Sequence, residues 1–139
     1  MYKRTLIRRI LATSLVAAAV ALSGCAAFAP ATPEQAVEKR ATTYWKARIA
    51  GEYEKAYALS SPAYRNVKTA QQFRMQFGAG ANVLGAEVYK VTCEQQKCTA
   101  RMKLTVKPAV IQLKLDTIPM YLDEIWLLED GQWWIHQDL

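Results

Sequence analysis

The chain of 139 residues has one histidine, His136, and three cysteines. A single imidazole leaves no Ser-His or Cys-His arrangement to activate a nucleophile and no cluster of zinc ligands. Triad and metal chemistry are therefore not expected, and neither is any cofactor. Internal repeats and low-complexity linkers are lacking. Acidic residues are missing from the first nine positions, which carry Lys3, Arg4, Arg8 and Arg9. A long hydrophobic run is missing too. The apolar stretch from Ile10 to Leu22 has thirteen residues. As a helix it reaches only about 20 Å, short of the roughly 30 Å hydrocarbon core of a bilayer. It is too short to span.

What is present there is a basic start, a short apolar run, and Ser23 and Gly24 directly before Cys25. That order predicts a secretory signal peptide over residues 1–24. Leu22-Ser23-Gly24-Cys25 resembles the lipobox of bacterial lipoproteins at all four positions. The resemblance implies transfer of a diacylglyceryl group to the Cys25 sulfur, cleavage before Cys25 and acylation of the new amine. Two or three acyl chains, at about 0.8 kcal/mol per buried CH₂, anchor a protein firmly in a bilayer. Residue 26 is Ala rather than Asp, which by the same resemblance implies the outer membrane, facing the periplasm. Residues 25–31 then form a lipidated tether, whose six residues after Cys25 span at most about 20 Å.

Cleavage changes the charge. Four of the 18 basic residues leave with the signal, so fourteen stand against 12 acids and the balance falls from +6 to +2. Nucleic-acid binding loses its electrostatic support. Lipidation also uses one cysteine of three, leaving Cys93 and Cys98 to pair in an oxidising compartment.

Residues 32–139 suffice for one domain with one core. Thr32-Pro33-Glu34-Gln35 predicts a capped helix start, closed by Gly51. Val37, Ala41 and Tyr44 share one stripe, with Trp45 on its flank and Arg48 unexpectedly on the stripe itself. Glu52 to Leu59 predicts a second helix and Ala70 to Phe77 a third, with Ser60-Ser61-Pro62 starting a single turn between them. From Val83 the period becomes two. Val88 to Cys93 and Cys98 to Val106 form a predicted hairpin with Cys93 opposite Cys98, close enough for a disulfide. In that register Tyr89, Val91, Ala100, Met102, Leu104 and Val106 face one way. Lys90, Thr92, Thr99, Arg101, Lys103 and Lys107 face the other. Val110 to Leu115 and Tyr121 to Leu128 read as further strands. Asp130-Gly131 turns the chain back into Gln132 to Gln137. That last hairpin is apolar on both faces and is expected to be central, with helices on one side and a partner protein or a second copy on the other.

The expected class is α+β: three N-terminal helices packed on a curved antiparallel sheet of four to five strands. Three stretches carry a resemblance: Tyr44-Trp45-Lys46-Ala47-Arg48 with Gly51-Glu52-Tyr53-Glu54-Lys55-Ala56-Tyr57, Ser61-Pro62-Ala63-Tyr64-Arg65, and Asp123-Glu124-Ile125-Trp126 through Asp130-Gly131-Gln132-Trp133-Trp134. Together they resemble the cone-shaped fold of the nuclear-transport-factor-two-like superfamily. Its members include isomerases, dehydratases, transport factors and secretion-system components, so the resemblance implies a fold and leaves the activity open.

Candidate sites follow. Arg48 and Glu124, opposed across a cone, would line its mouth and hold an anionic or polar ligand, or would form a structural ion pair. Tyr44, Trp45, Tyr53, Tyr57, Trp126 and Trp133 would line an apolar pocket or simply fill the core. His136 and Asp123 are diagonal neighbours on the face away from the assumed cavity, a proton-transfer pair or a surface hydrogen bond. The row Lys90, Arg101, Lys103 and Lys107 would meet lipid headgroups, a partner or water. Two functions fit. One is a lipid-tethered, non-enzymatic module that binds an envelope protein or small ligand, with homodimerisation through the sheet as one form. The other is a small isomerase- or dehydratase-type enzyme that uses Glu124, whose carboxyl a nearby Arg48 would hold down as a weak base.

Overall fold

The computed structural model describes residues 31–78, 82–108 and 116–139. Four helices precede four strands: α1 (Pro33–Ile49), α2 (Tyr53–Tyr57), α3 (Pro62–Val67), α4 (Ala70–Gly78), β1 (Val83–Glu94), β2 (Lys97–Val106), β3 (Ile118–Glu129) and β4 (Gln132–Ile135). Thr32 and Gln35 form the capping box that starts α1. Thr69 and Gln72 exchange the same two bonds at α4, 2.8 and 3.2 Å long. The expected single turn at Ser61 is a six-residue helix, with the Ser61 hydroxyl accepting from the Tyr64 amide. Helices therefore number four among the described residues, not three. None of them is long and apolar enough to cross a membrane. The strand expected over Val110 to Leu115 lies outside the described residues.

The strands form one antiparallel sheet in the order β1-β2-β3-β4. Helical side chains Val37, Ala41, Tyr44, Ala56, Tyr64 and Phe73 meet Ala100, Met102, Leu104 and Trp126 from one face of the sheet in a single core. Aromatic rings meet edge to face there: Phe73 lies 5.9 Å from Tyr57 and 6.4 Å from both Tyr44 and Tyr64. Cys93 pairs with Cys98 in the β1–β2 ladder, and the two form a disulfide.

Two expectations fail here. Tyr89 does not share a face with Val91. The ladder shifts register between Val88 and Lys90, so Tyr89 is the extra residue of a bulge and points away from the helices, 65% exposed. Its ring meets Tyr121 at 5.6 Å. The closing hairpin is also not central, because β4 lies at the end of the sheet. Its outer edge is covered by Leu59–Ser61: the Ile135 amide donates to the Leu59 carbonyl at 3.0 Å, and the Ser61 amide to that of Ile135 at 3.1 Å. The segment between α2 and α3 thus blunts an edge that a neighbouring strand would otherwise pair with.

Candidate functional site

β3 alternates Leu122, Glu124 and Trp126 onto the helix-covered face, as strand geometry requires. Glu124 is only 8% exposed. Its ladder partner, Ala100, is small enough to leave the carboxyl room. Above it, α1 presents Tyr44, Trp45 and Arg48. The Trp45 indole donates from Nε1 to Glu124 Oε1 at 2.8 Å. The other carboxyl oxygen, Oε2, is buried with no hydrogen-bond partner among the described residues.

Arg48 takes a different place from the one expected. Its guanidinium lies 4.3 Å from the Trp45 ring centroid and donates from Nη2 to the Phe77 carbonyl at 3.2 Å. No ion pair joins it to Glu124 among the described residues. Trp45 serves both, with its ring against the cation and its N–H on the carboxyl. Burial pushes the Glu124 carboxyl up to about 7, against the downward pull of the Trp45 hydrogen bond, the Arg48 charge and, least, the Trp126 indole. The expectation that Arg48 would hold this acid down is corrected, because desolvation outweighs an unpaired cation. Burial likewise pushes the Tyr44 phenol up to about 12. Its oxygen accepts from Gln137 Nε2 at 3.2 Å.

These groups line an open cavity of about 410 Å³, walled also by Gln76 and Phe77 of α4, Leu122 and Ile125 of β3, and the segment after β4. Asp123 and His136 reach its wall but do not pair. Asp123 is held by Arg101, which donates from Nε and Nη2 at 2.8 Å each and keeps the carboxyl below its ordinary range. His136 Nε2 lies 3.9 Å from Asp138. β4 ends at Ile135, but the His136 amide still donates to the Ile125 carbonyl at 2.8 Å, so the ladder runs one position further and His136 stays exposed between buried Ile135 and Gln137.

Of the remaining aromatic candidates, Trp126 and Trp133 are buried in the core, while Tyr57 packs against it and donates to the Lys68 carbonyl at 2.7 Å. None of the three lines the cavity. Tyr53 packs instead against Gly78, where an added Cβ would come within 3.1 Å of its ring. Gln137, Gln76 and Phe77 are cavity residues that sequence reasoning missed. Gln137 carried a signal, since it continues the period-two row of Trp133 and Ile135 as a polar residue on an apolar face. Cys25 lies outside the described residues. No group of three His, Cys, Asp or Glu that could hold a metal ion occurs among the described residues.

No family model matches the chain, and no curated protein matches it in sequence. Solved structures do. A SEC-C motif containing protein from Psychrobacter arcticus aligns with a TM-score of 0.58 and 12% identity, over 79% of this chain and 63% of that one. One from Rhodopseudomonas palustris aligns with a TM-score of 0.52 and 10% identity, over 67% of this chain and 69% of that one. The fold is shared with both. The chain spans less than two thirds of the Psychrobacter protein, and at these identities the likeness is one of fold alone. An NTF2-like protein from Campylobacter jejuni is also a structural neighbour, at 9% identity over 73% of this chain and 98% of that one, with a lower TM-score of 0.48.

Proposed function

We propose that the chain is a lipid-anchored protein of the bacterial envelope whose NTF2-like domain binds a small polar ligand beside Glu124. The binding half is carried by one observation: a buried carboxyl oxygen with no hydrogen-bond partner among the described residues shares a cavity wall with a guanidinium laid on Trp45. A buried polar atom left unpaired costs about 1–3 kcal/mol, and a ligand group that bonds to Oε2 recovers it. Arg48 adds positive potential to the same wall. The ligand class that fits carries an anionic or strongly accepting group for Arg48 and a hydroxyl or amine for Glu124, as small hydroxy- and amino-carboxylates do. The anchoring half is supported by the charge, length and lipobox match of residues 1–25.

Saturation-transfer NMR with a set of hydroxy- and amino-carboxylates tests the binding half. Signals that weaken in both Arg48→Gln and Glu124→Gln support it. Absence of any signal at millimolar ligand sinks it. Mass spectrometry of the native protein tests the anchor: an acylated Cys25 at the N-terminus supports it, and a bare cysteine with residues 1–24 attached refutes it.

A second reading has one observation in its favour. A carboxyl with its pKa near 7 can give and take a proton at neutral pH, as isomerases and dehydratases require. Exchange of a bound carboxylate's α-hydrogen with D₂O, abolished in Glu124→Gln, would select that reading over simple binding.

A further inference from the structure

Three side chains outside the cavity meet at β4. The Trp134 ring has the Arg40 guanidinium of α1 at 5.0 Å from its centroid and the Arg65 guanidinium of α3 at the same distance. The two cations are therefore separated by no more than twice that distance. Neither forms an ion pair among the described residues. The polar atoms nearby are already engaged: Trp134 Nε1 donates to the Glu129 carbonyl at 3.2 Å, and Arg65 Nε to the Ser60 carbonyl at 3.1 Å. Arg40 Nε is buried and has no acceptor among the described residues.

A cation over an indole contributes about 0.5–1 kcal/mol at an exposed site, which accounts for one arginine. It does not account for a second like charge at the same ring without a carboxylate beside either. An anion beside the guanidinium groups would remove that imbalance, accepting from their outer N–H groups, since Arg40 Nε itself is closed to solvent. Guanidinium groups bind phosphate oxygens through paired, charge-assisted hydrogen bonds, and an indole ring suits the headgroup level of a bilayer. The position fits as well. Arg40 lies seven residues beyond Pro33, about 10 Å along α1, and the tether from Cys25 to the domain spans at most about 20 Å.

We propose that Arg40, Arg65 and Trp134 form a phosphate site that takes the headgroups of anionic phospholipids and docks the tethered domain against the bilayer. This rests on the lipid-anchored reading above. The test uses the full acylated protein in phosphatidylglycerol or phosphatidylcholine vesicles, with a quencher attached to the lipid headgroup. Tryptophan quenching is compared among wild type, Trp134→Phe, Arg40→Gln and Arg65→Gln. The expected result is a quenched component that Trp134→Phe removes and that is stronger in phosphatidylglycerol. Loss of either arginine should lower the ratio of docked to undocked domain about fivefold, the equivalent of roughly 1 kcal/mol per basic residue at an anionic surface. Circular dichroism confirms that each variant is folded, and Arg40→Lys, which keeps the charge, should retain part of the effect. Protein that floats with the vesicles but shows the same quenching in Trp134→Phe overturns the docking site and leaves the anchor standing. Protein that does not float overturns the anchor and the docking together. Millimolar inorganic phosphate that perturbs Trp134 equally without lipid overturns the headgroup as its source.

Discussion

Trp45 decides how Glu124 behaves, because its indole N–H makes the short hydrogen bond to the carboxyl, 2.8 Å long, and the Trp126 indole adds only a weaker pull. Replacing Trp45 by Phe keeps an aromatic ring for Arg48 and removes that donor. The Glu124 pKa should then rise above about 7, since the bond is the largest force pulling it down. Titration of the side-chain carboxyl by NMR measures the shift, and an unchanged value would show that the bond is not formed. The sign of the effect on stability follows from the same residue. Glu124 holds its proton more tightly folded than unfolded, so its favourable contribution is complete below its ordinary pKa of 4.5 and is lost as pH rises through about 7. Over that window the loss is about 3 kcal/mol. Glu124→Gln cannot ionise and keeps an oxygen for Trp45. Its stability relative to wild type should be near zero at about pH 4 and about 3 kcal/mol in its favour at about pH 8. Urea unfolding at the two pH values checks this. At this scale the sequence exposed both Arg48 and Glu124 as charges on apolar stripes. It did not expose the indole between them, because helix and strand periodicities fix faces but not contacts across elements.

The strands show where such periodicity succeeds and where it stops. Alternation placed Ala100, Met102 and Leu104 inward and Cys93 opposite Cys98, because a slip of one residue would turn the whole apolar set outward. It failed at Tyr89, since a bulge adds a residue without leaving a glycine or proline to mark it. The like charges Lys90 and Arg101 do sit opposite each other, and Asp123 on the next strand supplies the counter-charge. Both hairpin turns invite tests. Asp130 and Gly131 have φ of 50° and 75°, the pair of positive values that a type I′ turn needs. A Cβ at Gly131 would meet nothing within 4 Å, so Gly131→Ala is opposed only by the strain of a side chain at positive φ and should cost about 1 kcal/mol. The disulfide closes the other turn. Loop-closure entropy assigns it about 2 kcal/mol, which for a domain of this size means that reduction should lower Tm by on the order of 10 °C. A thermal scan with and without reductant reads this directly, and coincident transitions would show that the loop is already ordered in the unfolded chain.

For the whole molecule, the layered arrangement was legible because the switch from a helical to a strand period after Gly78 divides the chain cleanly in two. The place of the closing hairpin was not legible. Leu59–Ser61 reads as the end of a helix, and nothing in its composition marks it as cover for the edge of β4. The two-faced apolarity of that hairpin comes in part from Trp134, whose ring meets Arg40 and Arg65 from two helices rather than a second sheet. The largest change expected of the molecule lies in its first 25 residues. If Cys25 carries lipid, Cys25→Ser removes the only sulfur that can accept diacylglycerol before cleavage, and processing stops with residues 1–24 attached. The unprocessed chain keeps a formal charge of +6, whereas the mature chain carries +2. Isoelectric focusing should therefore place the variant well to the basic side of the wild type. Mass spectrometry should find it longer by residues 1–24 and without acyl chains. Wild-type protein should float with membranes through high-salt washing, because acyl chains hold by burial rather than by charge. The basic signal of the variant should instead release at least part of its bound material as salt rises. Equal release of both proteins, with equal masses at the N-terminus, would leave the short tether without an anchor and the domain free of the membrane surface.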